Sequence, residues 1–229
     1  MGALFAGDSD DEEEQCWLPP AKLLVHVGSG VRLRSYGIEF GATTGFAVWE
    51  AARRIADSLQ VQSIDVRERT VLELGAGLAL PSLVAVKCGG ASLAVATDYP
   101  DEELLANVSH NASLNFQQGS AQAARFKVCA HQWGEDVTPL LKLNAGARFD
   151  VVILTDLIYK SSLHDELLRS VSLTLRPDGG VCICAYDVAH QPEQVEKDFF
   201  AAAARDPYKL RVVDSEQTGT VAAVRLVVA

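Results

Sequence analysis

The stretch Val71-Leu72-Glu73-Leu74-Gly75-Ala76-Gly77-Leu78-Ala79-Leu80-Pro81 limits what this 229-residue chain can fold into more than any other. It reads as a buried strand, a glycine turn and the first turn of a helix. Pro81 suits that helix start, because its missing N–H costs nothing there. Glycine at such a junction lets the backbone come close to a ligand, since no Cβ intervenes. The dinucleotide fingerprint G-x-G-x-x-G needs a third glycine where Leu80 stands, which argues against a nicotinamide oxidoreductase. Glu73, two residues before Gly75, is no part of that fingerprint.

From Thr70 onward apolar strands alternate with helices. Strands are expected at 71–74, 93–97, 125–130, 151–154 and 181–185. Helices are expected at 81–88, 102–115, 162–175 and 193–204, and residues 46–59 also have helical spacing. Continuous apolar strands interleaved with helices imply a parallel sheet covered on both faces. Residues 210–213 and 221–228 flank a polar turn and read as an antiparallel pair ending that sheet. Residues 23–35, around Gly28-Ser29-Gly30, read as a β-hairpin. The expected fold is therefore α/β: a Rossmann-like, mostly parallel seven-stranded sheet with an antiparallel C-terminal strand pair, helices on both faces and an N-terminal β-hairpin. Residues 1–20 carry the acid run Asp8 to Glu14, which repels itself and is expected to be a disordered tail. Residues 21–229 are expected to form a single domain around one core, which a hydrophobic content of 48% can supply.

A net charge of −10 without a basic run argues against nucleic-acid backbone as a partner. No apolar stretch approaches the ~20 uncharged residues of a membrane span. The N-terminus lacks a basic segment followed by an apolar one, so a cytoplasmic protein is expected. Cys16, Cys88, Cys129, Cys182 and Cys184 are odd in number and form no C-x-x-C, as in reduced, buried cysteine. Five scattered histidines give no metal-site pattern. The sequons at Asn107 and Asn111 read as chance.

Ligands of doubly wound sheets bind at the carboxyl ends of the strands, so the candidate site residues are those that follow each strand. Glu73, Gly75 and Gly77 belong to the first, and amides of that turn can hold a carboxylate. An acid beside a glycine turn suits a cationic ligand with an amino-acid-like end, which points to S-adenosylmethionine. Asp98 ends the second strand, where an acid receives ribose hydroxyls; Asp101, just before the next helix, reads as its cap. Trp133-Gly134 follows the third strand, where the indole can lie against an adenine ring or fill the core. Trp49 has the same two readings. Asp156 and Tyr159 follow the fourth strand and can orient a substrate amine, although Asp156 also reads as a helix cap. His131 falls at the rim, and Cys182 and Cys184 share a core-facing side of a strand.

Together with Ala47-Val48-Trp49, the segments Glu73-Leu74-Gly75-Ala76-Gly77, Asp98, Trp133-Gly134 and Asp156-Leu157-Ile158-Tyr159 resemble the seven-β-strand methyltransferases. The last segment fits the D-x-x-Y signature of lysine methyltransferase family 16. Thr97-Asp98-Tyr99-Pro100-Asp101, followed by Leu104, Asn107 and Asn111, resembles the nicotinamide N-methyltransferase-like branch. That branch includes a fungal enzyme acting on the N-terminus and adjacent lysine of elongation factor 1A. The resemblance runs from about Gly37 to the C-terminus, and Ala79 stands where fuller motifs carry a third glycine. It implies cofactor contacts at Trp49, Glu73, Gly75, Ala76, Gly77, Asp98, Tyr99, Trp133 and Thr155, with Asp156 and Tyr159 as catalytic residues and no metal. It implies a monomer that transfers a methyl group from S-adenosylmethionine to a lysine or N-terminal amine of a protein such as elongation factor 1A. Two alternatives stand beside it: a small-molecule N-methyltransferase, and an adaptor that holds the cofactor without turnover.

Overall fold

The computed structural model describes residues 20–37 and 44–229. The acidic tail expected at 1–20 lies, apart from Pro20, outside the described residues, as does Cys16. The expected hairpin is present: β1 (Lys22–Val25) pairs antiparallel with β2 (Arg32–Ser35). A 3-10 turn at Thr44–Phe46 precedes α1 (Glu50–Gln60).

The main sheet comprises β3 (Thr70–Leu74), β4 (Leu93–Asp98), β5 (Phe126–Ala130), β6 (Val151–Thr155), β7 (Val181–Asp187), β8 (Leu210–Thr218) and β9 (Val221–Val228). Its spatial order is β5-β4-β3-β6-β7-β9-β8. Neighbours from β5 to β7 run parallel, and β9 pairs antiparallel with both β7 and β8. The helices between them are α2 (Leu80–Lys87), α3 (Glu102–Asn115), α4 (Ala121–Arg125), α5 (Thr138–Leu143), α6 (His164–Thr174) and α7 (Glu193–Ala203). The chain winds outward from β3 through β4 to β5, then returns to β6 and winds the other way. That reversal opens a crevice beyond the carboxyl ends of β3, β4 and β6.

Strand β3 shows why its sequence is continuously apolar. Val71 faces a cluster built with Ile55, Leu59 and Leu83 of α1 and α2. Leu72 and Leu74 face the opposite cluster with Leu167 and Leu168 of α6. Each such fully buried side chain contributes about 1.5–3 kcal/mol, so truncating Leu74 to alanine should cost about 2–5 kcal/mol.

Several boundaries differ from the sequence expectation, each for a local reason. The helix expected from residue 46 starts at Glu50, because Trp49 is extended (φ −88°, ψ 158°) and gives no side-chain cap. The helix expected from 162 divides into a 3-10 turn at Ser161–Leu163 and α6. Strand β8 continues through the polar residues 214–218, because pairing with β9 and a bulge between Val212 and Asp214 carry it to the turn at Gly219. Neither α4 nor α5 was expected.

The hairpin is tied to the body by one face of α3. Arg34 N donates to Asn111 Oδ1 (2.7 Å), Arg32 N donates to Asn115 Oδ1 (2.8 Å), and Asn115 Nδ2 donates to Arg32 O (2.7 Å). Side-chain amides thus satisfy a strand edge that, among the described residues, no further strand covers. Asn107 and Asn111 are fully buried, so neither sequon is open to glycosylation in the folded state. Among the described residues, no helix is long and apolar enough to cross a membrane.

Candidate functional site

A cleft of about 790 Å³ occupies the crevice at the carboxyl ends of the parallel strands. Gly75 (φ +61°) and Gly77 (φ +52°) form its floor. A Cβ on Gly75 would stand 2.7 Å from Leu157 Cδ2 and 3.1 Å from Trp133 Cζ2. One on Gly77 would stand 3.2 Å from the Gly45 carbonyl oxygen. Side chains are therefore excluded from the turn both by backbone angle and by space. Ala79, where fuller motifs have glycine, keeps the left-handed conformation at φ +61°. That conformation costs a residue with a Cβ roughly 1–2 kcal/mol.

The amides of the turn are engaged differently from the expectation that they hold a ligand carboxylate. Ala76 N donates to Thr97 O (2.8 Å), and Gly77 N donates to Asp98 Oδ2 (2.7 Å). Asp98 Oδ1 accepts from Tyr99 N (2.7 Å). Asp98 thus braces the glycine turn against the end of β4 while lining the cleft. Burial pushes its carboxyl pKa up, and the two backbone donors pull the other way. Each oxygen retains a further lone pair for a hydroxyl donor. Asp101 caps α3 by accepting from Leu104 N (2.8 Å), so the capping and cleft-lining roles fall on separate acids.

Of the residues expected to contact a cofactor, Trp49, Gly75, Ala76, Gly77, Asp98, Tyr99, Trp133 and Thr155 line the cleft. Glu73 does not. Its side chain is 0% exposed beneath the turn, where Oε2 accepts from Ser82 N (3.0 Å) and Ser82 Oγ (2.5 Å). Side chains alternate along a strand, and Glu73 falls on the side packed against α2. Desolvation pushes its pKa to about 8, so the carboxyl is largely protonated at neutral pH. The remaining set fits an adenosine-bearing ligand: a cradle that one Cβ would fill, an acid at the next strand's end and an indole beyond the third strand.

At the other end of the cleft stands Asp156, itself left-handed at φ +55°. Its Oδ2 accepts from Ala51 N (3.1 Å) and its Oδ1 from Asp187 N (2.9 Å). The capping reading of Asp156 therefore holds in another form: it caps α1, which Trp49 leaves without a side-chain cap. Desolvation raises its pKa against the pull of the two backbone donors. Tyr159 lines the cleft with 54% of its surface exposed. Its loop is held from behind by buried His164, whose Nε2 lies 2.8 Å from the Ile158 carbonyl and so donates to it. His131 also lines the cleft; burial lowers its pKa, and its Nε2 sits 3.0 Å from Ser170 Oγ. Cys182 and Cys184 are core residues, with burial raising the Cys182 thiol to about 12.

Sequence reasoning missed Asp187, His190, Gln191 and Glu166, all of which line the cleft. Asp187 left a readable trace, an acid just past the expected end of a strand. Gln191 left none, since no motif surrounds it.

Comparison with known proteins gives this geometry a family. A model described as "Lysine methyltransferase" matches residues 35–206. The Eremothecium gossypii protein N-terminal and lysine N-methyltransferase EFM7 is 38% identical over 179 residues, covering 76% of this chain and 66% of the relative. Its Cryptococcus neoformans namesake is 40% identical over 132 residues, 57% of this chain but 43% of the relative, so the match spans less than half of that protein. The Schizosaccharomyces pombe namesake is 28% identical over 212 residues, 87% of this chain and 80% of the relative. Solved structures share the fold at low identity. The glycopeptide N-methyltransferase MtfA complexed with sinefungin is 13% identical with a TM-score of 0.55, covering 79% of this chain and 95% of that one. Pyrococcus horikoshii TYW2 in complex with MeSAdo is 14% identical with a TM-score of 0.53, covering 89% of this chain and 69% of that one. With the family model matching three quarters of its length, the chain belongs to the lysine methyltransferase family.

Proposed function

We propose that this protein methylates an amine of another protein, a lysine side chain or an N-terminus, using S-adenosylmethionine. The observation that carries the reading is the single cleft joining the glycine cradle and Asp98 at one end to Asp156 and Tyr159 at the other. The names of the EFM7 relatives support the same acceptor chemistry. Elongation factor 1A is the acceptor to try first, on the strength of the Thr97–Asp101 resemblance, which also supports a cytoplasmic site of action. The reading takes residues 21–229 as one domain acting as a monomer.

S-adenosylmethionine, when bound, supplies a methyl group on a sulfonium, open to attack by a neutral amine along the sulfur–carbon axis. The chain's own contribution is placement. The cradle excludes side chains from the floor, Asp98 offers acceptors to hydroxyls, and Trp133 and Tyr99 offer ring faces. Asp156 keeps lone pairs for an amine hydrogen while its backbone donors hold it in place. Tyr159 offers a hydroxyl on the same wall. The sulfur–methyl bond would break as the N–C bond forms, the sulfonium leaving as a neutral thioether, and the Asp156 carboxylate would stand beside the positive charge gained by the nitrogen before its proton is lost to solvent. Positioning of this kind can supply several kcal/mol of barrier reduction without a protein nucleophile.

The test is incubation with methyl-labelled S-adenosylmethionine and the protein fraction of a cell extract, alongside purified elongation factor 1A and nicotinamide. A labelled polypeptide is expected. Label found solely in nicotinamide or other small amines would replace this reading with the small-molecule one. Cofactor binding with no label anywhere would favour the adaptor.

A further inference from the structure

Gln191 lies on the loop between β7 and α7 and lines the cleft. It is 9% exposed, and its Nε2 is buried without a hydrogen-bond partner. Among the described residues its Oε1 has no partner either. A buried polar group left unpaired costs about 1–3 kcal/mol, so such a group calls for an explanation. The contrast with its neighbours sharpens the point. Asp98, Asp156 and Asp187 line the same cleft, and each accepts at least one backbone N–H.

We infer that Gln191 binds the acceptor substrate: its carboxamide pairs with the N–H and C=O of one extended residue of the polypeptide that carries the reacting amine. Two features select this occupant. The residue follows β7, on the far side of β6 from the glycine cradle, so it belongs to the acceptor's end of the cleft. A carboxamide also presents one donor and one acceptor side by side, the complement of the N–H and C=O that one extended residue turns to the same side. An ammonium or a heterocyclic amine that carries no amide could use one half at most. Exchanging the amide oxygen and nitrogen leaves the pairing unchanged. The site would then read polypeptide backbone as well as the amine, favouring proteins over free amines. This inference rests on the proposed function.

The experiment compares wild type with Gln191→Met, which keeps length and removes both polar atoms. Initial rates are measured with methyl-labelled S-adenosylmethionine against increasing extract protein and increasing pyridine, with cofactor affinity and Tm recorded for both proteins. The half-saturating concentration of protein acceptor should rise at least tenfold, equivalent to about 1.4 kcal/mol. Maximal rate should stay within about twofold, cofactor affinity should be unchanged, and Tm should not fall, because an orphaned donor has been removed. Any rate with pyridine, which has no amide, should be unaffected. An unchanged dependence on protein acceptor would overturn the inference, as would a lowered Tm with unchanged half-saturation, which would mark a purely structural amide. If wild type labels no polypeptide, the proposed function itself fails, a result distinct from a labelling wild type matched by its variant.

Discussion

The two ends of the cleft are built on opposite principles. At the β3–β4 end the polar groups are tied to one another: Ala76 N to Thr97, Gly77 N and Tyr99 N to Asp98. That end is a fixed mould, with room set by the absence of Cβ atoms at Gly75 and Gly77. At the β6–β7 end one acid, Asp156, holds together segments from distant parts of the chain, and Gln191 stands unpartnered beyond it. A fixed mould suits a ligand that is always the same. Free hydrogen-bonding capacity suits one to be selected. If the division is real, changes at the first end should alter cofactor affinity, and changes at the second should alter transfer with cofactor affinity nearly constant.

The largest effect should come from Asp156→Ala. Removing the carboxylate takes away the proposed partner of the amine and the cap of α1 together. Displacing reacting groups by about 1 Å can cost about 100-fold, so transfer should fall by at least that factor. Loss of the cap should cost about 0.5–2 kcal/mol, read as a lower Tm. Cofactor affinity, measured by calorimetry, should change by less than about threefold. Full activity would sink the catalytic assignment, and a cofactor defect equal to the rate defect would break the division between the ends.

Gly75→Ala should come next and act in the opposite sense. The new methyl meets Leu157 Cδ2 at 2.7 Å and must adopt φ +61°. Cofactor affinity should weaken at least tenfold and Tm should fall, with the rate at saturating cofactor reduced less than in Asp156→Ala. Cofactor affinity equal to wild type would show that the cradle is not where the cofactor lies.

The same division explains what could be read in advance. The mould was legible because strand, turn and helix are local, and each has its own residue signature: apolar run, paired glycines, proline at the helix start. The D-x-x-Y loop was legible as a motif, but its physics was not. Asp156 acts on Ala51, 105 positions earlier, and no local pattern announces a cap supplied from that far. Glu73 was expected on the cleft because it precedes the glycines, yet strand alternation turns it to the α2 side. Helices α4 and α5 span five and six residues, too short for an apolar periodicity to register. Gln191 depends wholly on what the fold brings around it.

Tyr159→Phe should have a moderate effect. The ring keeps its place on the cleft wall while the hydroxyl is lost, and one hydrogen bond contributes about 0.5–1.5 kcal/mol. Transfer should fall roughly 3- to 10-fold with cofactor affinity unchanged. Tyr159→Ala, which also removes the ring, should fall further. Equal rates for the phenylalanine variant and wild type would assign the residue to shape alone.

The smallest effect on catalysis should come from Glu73→Gln, which lies under the mould and off the cleft. Glutamine copies the protonated carboxyl that predominates in the folded protein at neutral pH, so kcat should stay within about twofold. The consequence appears in stability against pH. The folded carboxyl has a pKa of about 8 against 4.5 for the ordinary group, so the folded state holds a proton that the unfolded state has released between those values. Stability linked to Glu73 is therefore greatest below pH 4.5, declines as pH rises towards 8 and levels off above it, with an upper bound of roughly 5 kcal/mol. The buried acids Asp98 and Asp156, also raised by burial, contribute in the same direction. Tm measured from pH 5 to pH 9 should fall more steeply for wild type than for Glu73→Gln, the two curves separating as pH increases. Parallel curves would mean that the carboxyl beneath the turn is ionised in the folded protein. A charge would then lie directly under the glycine cradle, and Glu73 would return to consideration as part of the cofactor end.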